Sequence, residues 1–263
     1  MGTLVSYRLR DAVATITMDD GKVNVLSLAM LTELGAALDR AAADRAVVVL
    51  TGREGVFSAG FDLPVLRAGG PAAAELLHAG FDLATRLLAF PVPVLVACPG
   101  HAVAMGAFLV LSGDYRIGAR GPYKLTANEV AIGMTMPLAA VEICRQRLTP
   151  ACFNRAVILA EVFAPEDAAA AGFLDRVVPP AELAGAAVAA AAELARLDLD
   201  AHAATKLRAR QLALTALREA IESDDAAYRA RLAAPRLAAP RLAAPRLAAP
   251  RQAAPRQAAQ PAG

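Results

Sequence analysis

The residues that most restrict this chain are 91–113, PVPVLVACPGHAVAMGAFLVLSG, in which no side chain carries a charge unless His101 is protonated. A helix of that length would be long enough to cross a bilayer. Pro91, Pro93, Pro99 and the Pro99-Gly100 pair argue against one continuous helix, because proline has no backbone donor and its ring clashes with the preceding turn. The run reads instead as a buried strand over 92–97, a turn at Pro99-Gly100 and a buried helix from about Met105-Gly106. A short link later, KLTANEVAIG sets Glu129 beside Val130, Ala131 and Ile132. A helix start leaves backbone N–H groups without acceptors, and an apolar setting raises a carboxyl pKa into the range of a useful base. Together these are the parts of a site that forms and stabilises an enolate.

The flanking sequence supplies a frame for that unit. Residues 4–9 and 13–18 alternate apolar and polar side chains around Asp11, as a hairpin does, and Asp19-Asp20-Gly21 ends it. Ser27 is placed to cap a helix to about Ala43, with Met30, Leu31, Leu34 and Leu38 at helical spacing. Residues 47–51 form a β-branched run suited to a strand covered on both faces. An amphipathic helix over 75–90 leads into the 92–97 strand. Strands alternating with helices predict an α/β fold with a parallel sheet and right-handed crossovers. After Gly133 the pattern turns helical, over 137–148, 150–160 and 165–171, with a short strand over 174–178. Long helices then follow over 180–197 and 201–228. The expected organisation is a core over 1–200, a C-terminal helical segment over 201–230 and a tail over 231–263.

The tail repeats RLAAP, with RQAAP and RQAAQ at its end. Proline every fifth residue and little to bury predict disorder. It carries six arginines and no acid against a net charge of +2 for the whole chain, so the body is acidic. An acidic body is not a nucleic-acid surface. Cys98, Cys144 and Cys152 lack metal-ligand spacing and are odd in number, which fits reduced thiols. No charged region followed by an apolar stretch opens the chain. A cytoplasmic protein with no metal and no membrane span is expected.

Residues 52–63, GREGVFSAGFDL, form a second stretch of interest, a glycine-bearing loop entering a helix. Its glycines match neither dinucleotide nor phosphate-loop spacing, and Ser58 lacks the glycines of a nucleophile elbow. Taken together, FSAGFDL (57–63), GHAVAMGAFLVLSGDYRI (100–117) and ANEVAIG (127–133) resemble the crotonase superfamily of enoyl-CoA hydratases and isomerases. GFLDRVV (172–178) is a softer match, and the likeness runs from about Leu4 to Tyr228.

That resemblance implies a spiral of ββα repeats with a C-terminal helical layer used in trimerisation, assembled as a homotrimer or dimer of trimers. The implied substrate is an acyl-CoA thioester, with CoA part of the substrate and no separate cofactor. It places an oxyanion hole at the backbone N–H groups of Phe61 and Met105, with Ala59, Gly60, Asp62, Leu63, Gly106 and Phe108 around the substrate. Lys22, Lys206 and Arg208 are candidates either for the CoA phosphates or for solvated surface.

Two departures stand out. Met105 falls where the family commonly has glycine, and a positive φ there would strain it. Phe108 falls where typical hydratases carry a second glutamate, which leaves Glu129 alone. A single carboxylate can take a proton from the α-carbon and return it at the γ-carbon, whereas adding water needs further acid-base help. The pattern therefore resembles the single-glutamate isomerases more than the hydratases of fatty-acid β-oxidation. A catalytically weak acyl-CoA-binding protein is a competing class, and a hydrolase built on Ser58 and His101 a remote third. Asp114 and Arg116 read as structural, through a buried ion pair or loop bonds. His78 and His202 show no partners, and Asp62 reads as a helix-start charge.

Overall fold

The computed structural model describes residues 2–233. The chain winds as a spiral in which a strand of a large sheet leads to a short strand of a smaller sheet and then to helix. Val47–Thr51, Gly55–Ser58 and the helices Leu63–Ala68 and Gly70–Leu88 form one turn. Val94–Cys98, Gly100–Val103 and Met105–Leu111 form the next, and Tyr115–Ala119 with Leu125–Thr126 opens a third. The large sheet runs in the order Val5–Arg10, Val13–Met18, Val47–Thr51, Val94–Cys98, Tyr115–Ala119, Arg176–Val178. Its first pair is antiparallel and the others are parallel. The smaller sheet, Leu125–Thr126, Gly100–Val103 and Gly55–Ser58, is parallel throughout.

The continuous β-branched run at 47–51 has a direct cause. Successive strand residues face opposite sides, and both sides of Val47–Thr51 are covered. Val48 and Leu50 enter the main core, while Val47 and Val49 pack in a second core under Leu183, Ala187 and Ala191 of the Leu183–Leu194 helix. The Leu28–Ala43 helix starts where Ser27 Oγ accepts from Met30 N at 3.2 Å. It buries Met30, Leu31, Leu34 and Leu38, as their spacing predicts. No described helix is long and apolar enough to cross a membrane.

Several boundaries differ from the sequence reading. The turn expected at Pro99-Gly100 opens a second strand, Gly100–Val103, which finds partners on both edges. The helix expected from residue 75 begins at Gly70, because Pro71 sits in its first turn, where no backbone donor is needed. The last helix divides into Leu199–Ala209 and Gln211–Ala233. The break at Arg210 has a tertiary cause: its guanidinium donates to Leu88 O at 2.8 Å and meets Asp114 at 2.9 Å. The Gln211–Ala233 helix takes in the first residues of the expected tail. The rest of that tail, 234–263, lies outside the described residues.

Asp114 and Arg116 each hold structure in a separate ion pair. Asp114 accepts from Val94 N (2.7 Å), Lys206 Nζ (2.7 Å) and Arg210 Nη1 (2.9 Å). Arg116 grips Asp175 with Nη2 at 2.6 Å and Nε at 2.9 Å, and donates to Gly172 O. Lys206 is therefore neither a CoA contact nor a solvated surface group, since it is buried against Asp114. Burial pulls its pKa down to about 8, the attraction of Asp114 offsetting only part of that cost. His78, which showed no partner in sequence, meets Asp225 at 2.8 Å.

Candidate active site

The site forms where two loops and one helix start converge. Leaving Gly100–Val103, the backbone turns sharply at Ala104, whose N donates to Thr126 O and whose O accepts from Phe108 N. That turn gives Ala104 φ +50° and ψ −124°, a conformation that costs an L-residue energy. The strain suspected at Met105 thus falls one residue earlier, and Met105 is the first residue of the Met105–Leu111 helix. Its N–H has no acceptor within the helix.

Gly60, at φ +90°, lies against this helix start. A Cβ there would stand 2.9 Å from Val103 O and 3.4 Å from Met105 N. The backbone leading to Phe61 is thereby brought beside that of Met105. Gly106 is equally confined, since a Cβ would meet Ser58 O at 2.5 Å. Ser58 itself is a bracket: fully buried, its Oγ donates to Asn24 O at 2.7 Å and accepts from Gly60 N at 3.0 Å. His101 Nδ1 accepts from Lys124 N at 3.1 Å, and its ring stands edge-on to Tyr123. With the Ser58 hydroxyl and His101 Nδ1 both engaged in structural bonds, the geometry gives no support to a hydrolase built on them.

Glu129 follows the Leu125–Thr126 strand in a tight turn, where its carbonyl accepts from Ile132 N and Met134 N. Its side chain is buried, with the residue 7% exposed, and Oε2 has no hydrogen-bond partner among the described residues. Burial raises its pKa from 4.5 to about 7, against a smaller opposing effect of its own backbone N–H. The carboxylate faces a cavity of about 110 Å³ shared with Ala59, Phe61, Leu63, Ala104 and Phe108. Phe108 stacks on Phe81 at 6.4 Å between ring centroids, and Phe81 meets Phe61 edge-on at 6.0 Å. Three aromatic rings thus stand around a carboxylate with one oxygen unpartnered, and among the described residues Glu129 is the one titratable side chain lining this cavity.

The other expected site residues are distributed around this centre. Asp62 Oδ1 accepts from Val65 N at 3.4 Å and caps the Leu63–Ala68 helix. Lys22 is exposed in the loop held by Asp20, and it does not line the cavity. The sequence reading missed Leu77, Phe81 and Pro137, which complete the wall from distant segments, and Asn128. The Asn128 side-chain oxygen is buried without a partner among the described residues. Its position beside Glu129 was the available signal.

A family model described as enoyl-CoA hydratase/isomerase matches residues 8–233. The chain belongs to this family, the crotonase superfamily. The chain is similar to an enoyl-CoA hydratase/isomerase family protein from Pseudomonas syringae, at 52% identity and TM-score 0.84, over 85% of this chain and 97% of that one. A Mycobacterium tuberculosis protein, described as an enoyl-CoA isomerase in one solved structure and as a probable enoyl-CoA hydratase in another, is similar at 50% identity and TM-score 0.83 in the first of these, over 86% and 99%. The human mitochondrial enoyl-CoA delta isomerase 1 is 31% identical over 208 residues, 76% of this chain and 68% of that protein. The spiral described above is the crotonase fold, and the chain is an enzyme of this superfamily.

Proposed function

We propose that this protein is an enoyl-CoA isomerase that moves a double bond from the β,γ to the α,β position, with Glu129 as its proton shuttle. The observation that carries the reading is the pairing of Glu129 with Phe108. Where a second carboxylate would serve hydration, a buried ring stacks on Phe81 instead.

The backbone N–H groups of Phe61 and Met105 donate to the thioester oxygen. Each such fixed donor is worth about 3 kcal/mol as negative charge develops there. The Glu129 carboxylate takes a proton from the α-carbon, and the electron pair delocalises into the thioester and the adjacent double bond. The carboxyl then gives that proton to the γ-carbon, the double bond settles at α,β, and Glu129 is again ionised. No atom enters or leaves. Hydration would need a second group to hold and activate water, and the remaining cavity walls offer aromatic and aliphatic side chains with the amide of Asn128.

A base must be ionised to act, so kcat/KM for a β,γ-enoyl-CoA is expected to rise with pH and level off above about 7, following Glu129. Initial rates between pH 5 and 9 read this directly. A profile that is flat through pH 7 would remove Glu129 from the role.

A further inference from the structure

We propose, resting on the isomerase reading, that this enzyme takes short acyl chains and that Leu77, backed by Phe81 and Pro137, is the stop that sets their length. The cavity beside Glu129 is about 110 Å³, smaller than the ~150 Å³ apolar cavity that takes up one six-carbon benzene ring. With the thioester oxygen toward Phe61 and Met105 and the reacting carbons at Glu129, little space remains for a longer chain.

Leu77, Phe81 and Pro137 close that space, and the same three residues line a second cavity of about 30 Å³ on their far side. The back wall of this second cavity includes Ile221 and Tyr228 of the Gln211–Ala233 helix. That helix is tied down at two points beside the stop. Asp224 accepts from Leu138 N (3.1 Å) and Ala139 N (3.0 Å), directly after Pro137. Asp225 meets His78, directly after Leu77, at 2.8 Å. The stop is therefore braced from behind.

Leu77 is the residue whose size decides the outcome. Phe81 is buried in the aromatic stack, and Pro137 caps a helix. Leu77 is half-buried, with the first cavity on one side and the second on the other. Shortening it joins the two spaces, and enlarging it fills the first.

Affinities of the saturated series from butanoyl-CoA to dodecanoyl-CoA test this without turnover. For the wild type, affinity is expected to climb roughly fourfold per methylene to about six carbons and then stop rising. In Leu77→Ala the break moves to longer chains, and in Leu77→Trp it moves to shorter ones. The opposite directions separate a moved stop from a damaged fold. An even climb to dodecanoyl-CoA in the wild type, or a break at the same length in both variants, would overturn the proposal. Retained isomerisation by Glu129→Gln would overturn the shuttle and leave the length break to be judged on its own.

Discussion

Glu129→Gln is expected to lower kcat for isomerisation by about 10²- to 10⁴-fold, the usual worth of a positioned acid-base group, while saturated acyl-CoA esters still bind. The same substitution is expected to stabilise the protein at alkaline pH. The folded carboxyl has its pKa raised from 4.5 to about 7, so across that window the native state holds a proton that the unfolded chain releases. Stability therefore falls as pH rises from about 4.5 through 7, and the cost is complete above it. At 1.36 kcal/mol per pKa unit the penalty approaches about 3 kcal/mol, and glutamine does not incur it. Denaturant midpoints at pH 8 are expected to favour the variant, with the gap closing toward pH 4.5. A gap independent of pH would mean that Glu129 is not held in the low-dielectric setting on which its basicity depends.

Asp114→Ala is expected to cost about 3–5 kcal/mol, the usual consequence of stranding a buried charge. The Asp114 side chain is 15% exposed and is shared by Lys206, at 4%, and Arg210, at 15%. Removing it leaves two cations with little water, and also removes the acceptor of Val94 N at the start of a central strand. Lys206→Met should cost less, because Asp114 keeps Arg210. Chemical denaturation of both variants and the double mutant measures the coupling. A loss below about 1 kcal/mol for Asp114→Ala would place this cluster with exposed ion pairs of little consequence.

Features set by neighbouring residues were legible in the sequence. Ser27 and the spacing of Met30, Leu34 and Leu38 marked a helix, and the Val47–Thr51 run marked a strand covered on both faces, because cap and burial pattern are written locally. The helix start at Met105 and the burial of Glu129 followed from the same kind of signal. Features that depend on distant partners were not legible. Gly100–Val103 is four residues long and becomes a strand because Gly55–Ser58 and Leu125–Thr126 flank it. The break at Arg210 has no glycine or proline to announce it, since its cause lies at Leu88 and Asp114. Lys206 looks like any helical lysine until Asp114, 92 residues away, is placed against it. At the site, the three motifs pointed to the lone carboxylate and the two backbone segments. The outer wall came from Leu77, Phe81 and Pro137, whose apolar side chains are indistinguishable in sequence from ordinary core.

The most direct measurement gives purified protein a β,γ-unsaturated enoyl-CoA and, separately, an α,β-unsaturated one, and follows both isomerisation and addition of water. With Glu129 as the single shuttle and Phe108 in place of a second carboxylate, the first substrate is expected to convert to its α,β isomer and neither to gain water at a comparable rate. Hydration of the α,β substrate at a rate matching or exceeding isomerisation would contradict this, because it would require a second acid-base group acting at the cavity that Glu129 and Phe108 share.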